Sequence, residues 1–339
     1  MEDELNRVLS FYDVNIKNME PLNDNRSAYK LTDNADNQYF LKIYGKSNDY
    51  DIIPGRVYHT YEQVKLESEI LLLLSDSVLN SAAPLKNRDG DFVTTLATDS
   101  DGEPMFAVIT SFIDGITVKD TQSLTADMAY LAGVSAARLH LESKRELLPI
   151  AVKRPHKRQA YVRKIQEILV QGIAAGTLTA TQYEMVSQCC DLIVDCMNRL
   201  DKDAENNVGL VHTDIQNTNI IYTLNHAALI DFSRSVYSYY LYDLAEMCLH
   251  ADFGGSGPQL QNAVLRGYHA VKPLSKYDLF ALQALFTMFI LSLMAMGIES
   301  KQNAWLEGVL KWFTDEVHPG LLSGKGYLDR SVYENICAT

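Results

Sequence analysis

Between Val211 and Asp231 the chain carries Asp214, Asn219 five positions later and Asp231, each in a short polar stretch beside an apolar run. The runs are Asn219-Ile220-Ile221-Tyr222 and Ala227-Ala228-Leu229-Ile230. The pattern reads as a loop feeding a β-hairpin, with carboxylates and an amide held at its base. Phosphoryl transfer needs these groups. One carboxylate receives or orients an acceptor hydroxyl, while an amide oxygen and a second carboxylate hold the metal that neutralises the nucleotide phosphates. Asp and Asn also cap turns in proteins with no such chemistry. Their order here, followed by Tyr242-Asp243-Leu244-Ala245, favours the chemical reading.

Those residues need a frame, and the first third of the chain reads as strands. Ser27–Leu31 and Gln38–Tyr44 flank a polar turn, a hairpin signature that puts Lys42 in a strand among apolar neighbours. A lysine there is either an edge charge or a buried cation aimed at a ligand. The preceding turn, Leu22 to Ser27, could fold over phosphates with backbone N–H groups and the Ser27 hydroxyl, although it contains no glycine. Tyr61 to Ser75 has helical periodicity and offers Glu67 and Glu69, each either a partner for Lys42 or solvated. Two further strands are predicted over 91–96 and 105–113. The end of the second, Ser111 to Ile113, is where an adenine could bond to backbone.

From about Thr125 the pattern turns helical, with segments over 128–142, 157–173, 179–201, 241–250, 258–268, 276–296 and 305–317. His140 reads as a packed helix residue rather than a ligand. Lys153-Arg154-Pro155-His156-Lys157-Arg158 is the only basic cluster. It reads as a solvated helix start, the alternative being a surface for an anionic partner or the nucleotide. Gly254-Gly255-Ser256-Gly257 reads as a flexible loop.

The bulk numbers agree with a two-lobed globular protein. The chain has 339 residues, 47% of them hydrophobic, enough for two domains or lobes. A net charge of -13 argues against nucleic acid or an anionic membrane as the main partner. The five cysteines show neither zinc-ligand spacing nor a disulfide framework. The most apolar stretch, Leu279 to Met296, contains Gln283, Thr287 and Ser292 and reads as a buried helix rather than a membrane span. The acidic N-terminus leads into no signal-type run. The expectation is a reduced, cytoplasmic protein.

The succession Lys42, Glu67, His212-Thr213-Asp214-Ile215-Gln216-Asn217-Thr218-Asn219 and Asp231 resembles the aminoglycoside phosphotransferase/choline kinase-like family of kinase-like phosphotransferases, over nearly the whole chain. The resemblance implies an α+β, protein-kinase-like bilobal fold. A nucleotide-binding lobe over 1–113 would hold a small antiparallel sheet plus one helix. A larger, mainly helical lobe over 114–339 would hold the catalytic and metal loops and the acceptor pocket. It implies Asp214 as catalytic base, Asn219 and Asp231 as Mg²⁺ ligands, and Lys42 on the ATP phosphates, held by Glu67 rather than Glu69. Ser27, Ser111 and Ile113 would complete the nucleotide contacts, and Asp243 would brace the catalytic loop. The implied reaction is ATP-dependent transfer of the γ-phosphoryl group to a hydroxyl of a small molecule of aminoglycoside, amino alcohol, homoserine or sugar type. Asp243, Glu246 and Asp252 point to a cationic acceptor. Thr213 stands where the family has glycine, and Ser233-Arg234 follows Asp231-Phe232. Two rival readings are a protein Ser/Thr kinase, which the basic cluster would serve, and a non-catalytic nucleotide-binding module, against which the complete set of polar residues argues.

Overall fold

The computed structural model describes residues 2–24, 27–45, 59–98, 102–118, 123–252, 258–301 and 303–324, with Tyr333 and Ile336. Asn25 and Arg26 of the expected phosphate turn, the Gly254–Gly257 loop and Cys337 lie outside the described residues. The chain divides into two units. Among the described residues, the first holds those between Met1 and Asp49, between Val57 and Ile116, and Ile230–Ser233; the second holds Thr117–Leu229 and Arg234–Thr339.

The first unit comprises α1 (Glu2–Ser10), β1 (Ile16–Pro21), β2 (Ala28–Asp33), β3 (Gln38–Tyr44), α2 (Tyr61–Ser75), β4 (Thr94–Thr98) and β5 (Pro104–Ser111). Its antiparallel sheet has the order β1-β2-β3-β5-β4. The two-residue period of a strand decides which face each side chain takes. Leu31, Leu41 and Ile109 pack with Leu5, Val8 and Tyr12 of the α1 segment, while Tyr44, Phe106 and Val108 pack with Val64 of α2. Lys42 shares the parity of Tyr44 and so projects to the α2 side. The helix starts where Thr60 accepts a hydrogen bond from the Gln63 N–H at 3.3 Å.

The second unit begins with α3 (Ala126–Glu142), α4 (Leu148–Ala151), α5 (Gln159–Ala174), α6 (Ala180–Leu200) and α7 (Ala204–Asn207). Four short strands follow: β6 (Val208–Val211), β7 (Ile220–Tyr222), β8 (Ala227–Leu229) and β9 (Val236–Tyr239). The chain continues through α8 (Tyr240–Asp252), α9 (Pro258–His269), α10 (Lys276–Ser300), α11 (Asn303–Trp312) and α12 (His318–Ser323). β6 pairs with β9 and β7 with β8, both antiparallel. α10 is apolar and long enough to cross a membrane, but 72% of its apolar window is buried in the unit, as the core-helix reading expected.

α3 and α9 cross at backbone contact because two glycines permit it. A Cβ on Gly133 would stand 2.1 Å from the Val264 carbonyl oxygen, and one on Gly267 would stand 2.0 Å from that of Tyr130. No side chain can occupy either position without moving backbone. This crossing sets Tyr268 of α9 beside His140 of α3.

The basic cluster at 153–158 is not a solvated helix start. α5 begins only at Gln159. Residues 155–157 instead run beside β9, with the Lys157 N–H donating to the Tyr237 carbonyl and the Tyr237 N–H to that of Pro155. That pairing turns Arg154, Lys157 and Arg158 toward the interior, while Lys153 and His156 stay exposed. Arg154, 2% exposed, donates through Nε to the Ser235 carbonyl at 3.0 Å. Lys157, 7% exposed, places Nζ 4.3 Å from the ring centre of Tyr242 and 5.0 Å from that of Tyr161. Arg158 pairs with Asp201 and lies over Tyr239. Charge density along the chain gave no hint of these partners, all of which but Tyr161 lie dozens of residues away.

Candidate active site

In the first unit, Lys42 gathers three partners. Its Nζ donates to Asp231 Oδ1 at 2.7 Å, lies 3.7 Å from Glu67 Oε1 and sits 4.6 Å from the ring centre of Tyr44. Glu67 is 2% exposed, whereas Glu69 makes no ion pair with Lys42 among the described residues. Burial works against the Lys42 charge, but Asp231 and Glu67 together outweigh it and hold its pKa above the ordinary lysine range. A permanently charged ammonium in that setting can hold phosphate oxygens. Asp231 takes a left-handed backbone, φ 65°, and its Oδ1 also accepts from the Ser233 hydroxyl at 2.6 Å. Ser233 thus has a local reason to follow Asp231-Phe232.

The glycine-free turn between β1 and β2 is organised by Asn23. Its Oδ1 accepts the N–H groups of Ser27 and Ala28 at 3.0 and 3.2 Å, and its Nδ2 donates to Ser27 Oγ at 3.0 Å. The Ser27 carbonyl accepts from Ile43 N–H at 2.8 Å, so the turn is tied to the strand residue beside Lys42. An asparagine that mimics backbone hydrogen bonding does here what glycine would do by conformational freedom. At the end of β5, the Ser111 N–H donates to the Ala83 carbonyl at 2.8 Å and that of Phe112 to Gln38 at 3.2 Å. Of the three residues considered for an adenine, Ile113 alone has an N–H not already taken in this way among the described residues.

In the second unit, β6 delivers the loop that carries Asp214. Asp243, fully buried on α8, fixes the start of this loop. Its Oδ2 accepts the His212 N–H at 2.8 Å and its Oδ1 the Thr213 N–H at 2.7 Å. His140, also fully buried, puts Nε2 3.0 Å from Asp243 Oδ2 and Nδ1 2.8 Å from the Tyr268 hydroxyl. A carboxylate only accepts, so the ring proton is on Nε2 and Nδ1 accepts from Tyr268. Burial lowers the His140 pKa against the pull of Asp243, which is consistent with a neutral ring. The packed-residue reading of His140 holds, yet the sequence did not reveal that it buttresses the loop. The available signal was an imidazole on an apolar helix face, which must find two polar partners.

Thr213 adopts φ 56°, a left-handed conformation costly for a β-branched residue and natural for glycine. Its hydroxyl compensates by donating to the Arg234 carbonyl at 2.7 Å. Beyond it, Asp214 is held by two amides. Gln216 Nε2 donates to Oδ1 at 3.0 Å, and Asn219 Nδ2 donates to Oδ2 at 2.7 Å and to the Asp214 carbonyl at 3.0 Å. Because the Asn219 nitrogen faces Asp214, its Oδ1 is the end left for a cation. Amide and carboxylate oxygens are the hard donors Mg²⁺ selects. Among the described residues, no group of three or more His, Cys, Asp or Glu side chains could hold a metal ion by itself.

Sequence reading also missed how Glu246 is buried. It is 3% exposed, and its Oε2 has no hydrogen-bond partner among the described residues. Burial pushes its carboxyl up to about 8; Lys157 opposes this, while Asp243 and Asp214 reinforce it. The unfolded chain releases this proton near pH 4.3, about the ordinary glutamate value. Between there and pH 8 the folded state binds the extra proton, so this group makes stability fall as pH rises through that window and adds no slope above it. Glu246→Gln is predicted to gain at least about 1 kcal/mol relative to the parent between pH 5.5 and pH 8. Urea unfolding at the two pH values measures this, and an unchanged difference would show that Glu246 is ionised in the fold.

Two groups of predicted residues thus assemble: Lys42, Glu67 and Asp231 in the first unit, and Asp214, Asn219 and the bracing Asp243 in the second. The phosphotransferase enzyme family matches residues 18–280. No curated protein sequence matches the chain. Among solved structures, a microcompartment-associated aminopropanol kinase superposes with a TM-score of 0.67 at 20% identity, covering 96% of this chain and 99% of the other. An amicoumacin kinase, solved in complex with AMP-PNP and Ca²⁺, gives 0.63 at 16% identity, covering 93% of each chain. A choline kinase from Cryptosporidium parvum gives 0.62 at 15%, covering 96% of this chain and 97% of that one. At such identities the likeness is one of fold, the bilobal α+β architecture of kinases. Matched to the family over well more than half its length, the chain belongs to the phosphotransferase enzyme family.

Proposed function

We propose that this phosphotransferase moves the γ-phosphoryl group of ATP to a hydroxyl of a small molecule, of amino alcohol, aminoglycoside, homoserine or sugar type. The observation that carries the reading is the Asp214 carboxylate, fixed by the Gln216 and Asn219 amides on a loop whose first two N–H groups Asp243 clamps. A carboxylate so oriented can accept the proton of an incoming hydroxyl and aim its oxygen. Lys42 would hold the nucleotide phosphates, with Glu67 setting its direction, and Ile113 would offer backbone to the base. Asn219 and Asp231 would hold Mg²⁺, which when bound offsets the charge of the phosphates. Positioning and fixed electrostatics supply most of the rate in this chemistry.

An acceptor bearing an amino group fits best. The Glu246 carboxyl, held protonated near neutral pH by burial and by the Asp243 and Asp214 charges, would give up its proton to pair with an ammonium, and aminopropanol and choline, the acceptors named for two solved relatives, each carry a hydroxyl and a cationic nitrogen. A protein acceptor has no such support, because the cations at 154, 157 and 158 are occupied inside the second unit. The test is Mg²⁺-dependent ADP release with a panel of amino alcohols, homoserine, aminoglycosides and neutral sugars. Turnover confined to amine-bearing acceptors is expected; turnover with neutral sugars alone, or with none of the panel, would overturn the assignment.

A further inference from the structure

The second unit holds a hollow of about 300 Å³ away from the 212–219 loop, walled by the end of α6, the start of α8 and the segment leading into α10. Four charged side chains line it: Arg199, Asp203, Lys272 and Asp278. The two acids already have donors. Both oxygens of Asp203 accept from the Asn206 amide, at 2.9 and 3.0 Å, and Asp278 Oδ2 accepts from the Ser275 N–H at 2.6 Å. Asp278 and Asp203 act on the Lys272 charge from a distance, but no acid among the described residues reaches ion-pairing distance of either cation. Neither Lys272 nor Arg199 makes an ion pair among the described residues; Lys272 Nζ lies 5.5 Å from the ring centre of Tyr240, and Arg199 lies by the Tyr277 hydroxyl.

We propose that this hollow binds a small organic anion, with one oxyanion group between Lys272 and Arg199 and an apolar or aromatic body against Tyr277. The volume is at the lower end of ligand pockets, right for a compact metabolite and too small for a nucleotide. Tyr240, 1% exposed and stacked on His140 with ring centres 4.7 Å apart, fixes the floor beneath Lys272, while the Tyr277 ring, 37% exposed, is the one a ligand can reach. Partial burial lowers the Lys272 pKa, a cost that a bound anion removes, and Arg199 offers a planar fork for two oxygens.

Carboxylate and phosphate would use the same two cations, and the probes separate them. Benzoate and phenyl phosphate are titrated calorimetrically into the full chain saturated with AMP-PNP and Mg²⁺, and into Lys42→Met without nucleotide. Binding of at least one probe is expected at a one-to-one ratio in both, weakened about tenfold by Lys272→Met or Arg199→Gln and kept by Lys272→Arg. Preference for phenyl phosphate marks a phosphomonoester ligand, and preference for benzoate a carboxylic acid. No heat with either probe up to about 10 mM, or affinity equal in parent, Lys272→Met and Arg199→Gln, overturns the proposal. Binding lost in Lys42→Met but kept in Lys272→Met would place the anion with the nucleotide phosphates and also overturn it. Arg199 is exposed at the surface, so its variant reports on binding even if Lys272→Met disturbs the fold.

Discussion

Asp214→Asn is expected to lower phosphoryl transfer by about 10²–10⁴-fold while nucleotide affinity changes little. The substitution is nearly isosteric, so the Gln216 and Asn219 amides still have an oxygen to approach, but the group loses the charge that would take up the acceptor proton. It also loses the second oxygen, so one of the two amides meets a nitrogen in place of a carboxylate. Because Lys42, Glu67 and Asp231 belong to a separate cluster, nucleotide binding measures an independent property. Single-turnover transfer and nucleotide titration together make the test. Transfer within tenfold of the parent would remove Asp214 from the role of base, and a parallel collapse of nucleotide affinity would show that its role is structural.

Asp243→Ala is expected to cost about 3 kcal/mol or more, because it strands three buried donors: the N–H groups of His212 and Thr213 and the Nε2–H of His140. That is a large part of the stability of an ordinary domain. Asp243→Asn keeps one acceptor oxygen and sets an NH₂ group against one of these donors, so it should fall between parent and alanine variant. Urea unfolding of the three proteins measures the series. A loss below about 1 kcal/mol for the alanine variant would mean that water replaces the carboxylate and that the loop does not depend on it.

The legible part of this protein was local. Lys42 could be placed in a strand because apolar residues alternate around it, and α2 could be placed because its apolar residues recur every three to four positions. Strand parity then put Lys42 on the α2 side, so even its partner Glu67 was within reach of sequence reasoning. The short loop 212–219 was legible for the same reason: Asp214, Gln216 and Asn219 are close enough in the chain to bind one another directly. Asn23 and Ser27 are equally local, and a more careful reading of the turn would have found an asparagine doing the work of the missing glycine.

Other features were invisible because they depend on segments far apart. The charge of Arg154, Lys157 and Arg158 predicts solvent; only the pairing of residues 155–157 with β9 turns them inward. The support behind the 212–219 loop joins His140, Asp243 and Tyr268 across 128 positions, and it depends on a helix crossing that two glycines allow. Residue type and spacing alone determined the strand, the helix and the order of Lys42, Asp214, Asn219 and Asp231, because local backbone geometry follows from local side chains. The tertiary structure alone decided which charges are buried, which hydrogen bonds hold the loop and where two cations have no acid at ion-pairing distance among the described residues, because burial and pairing belong to whatever element packs on top.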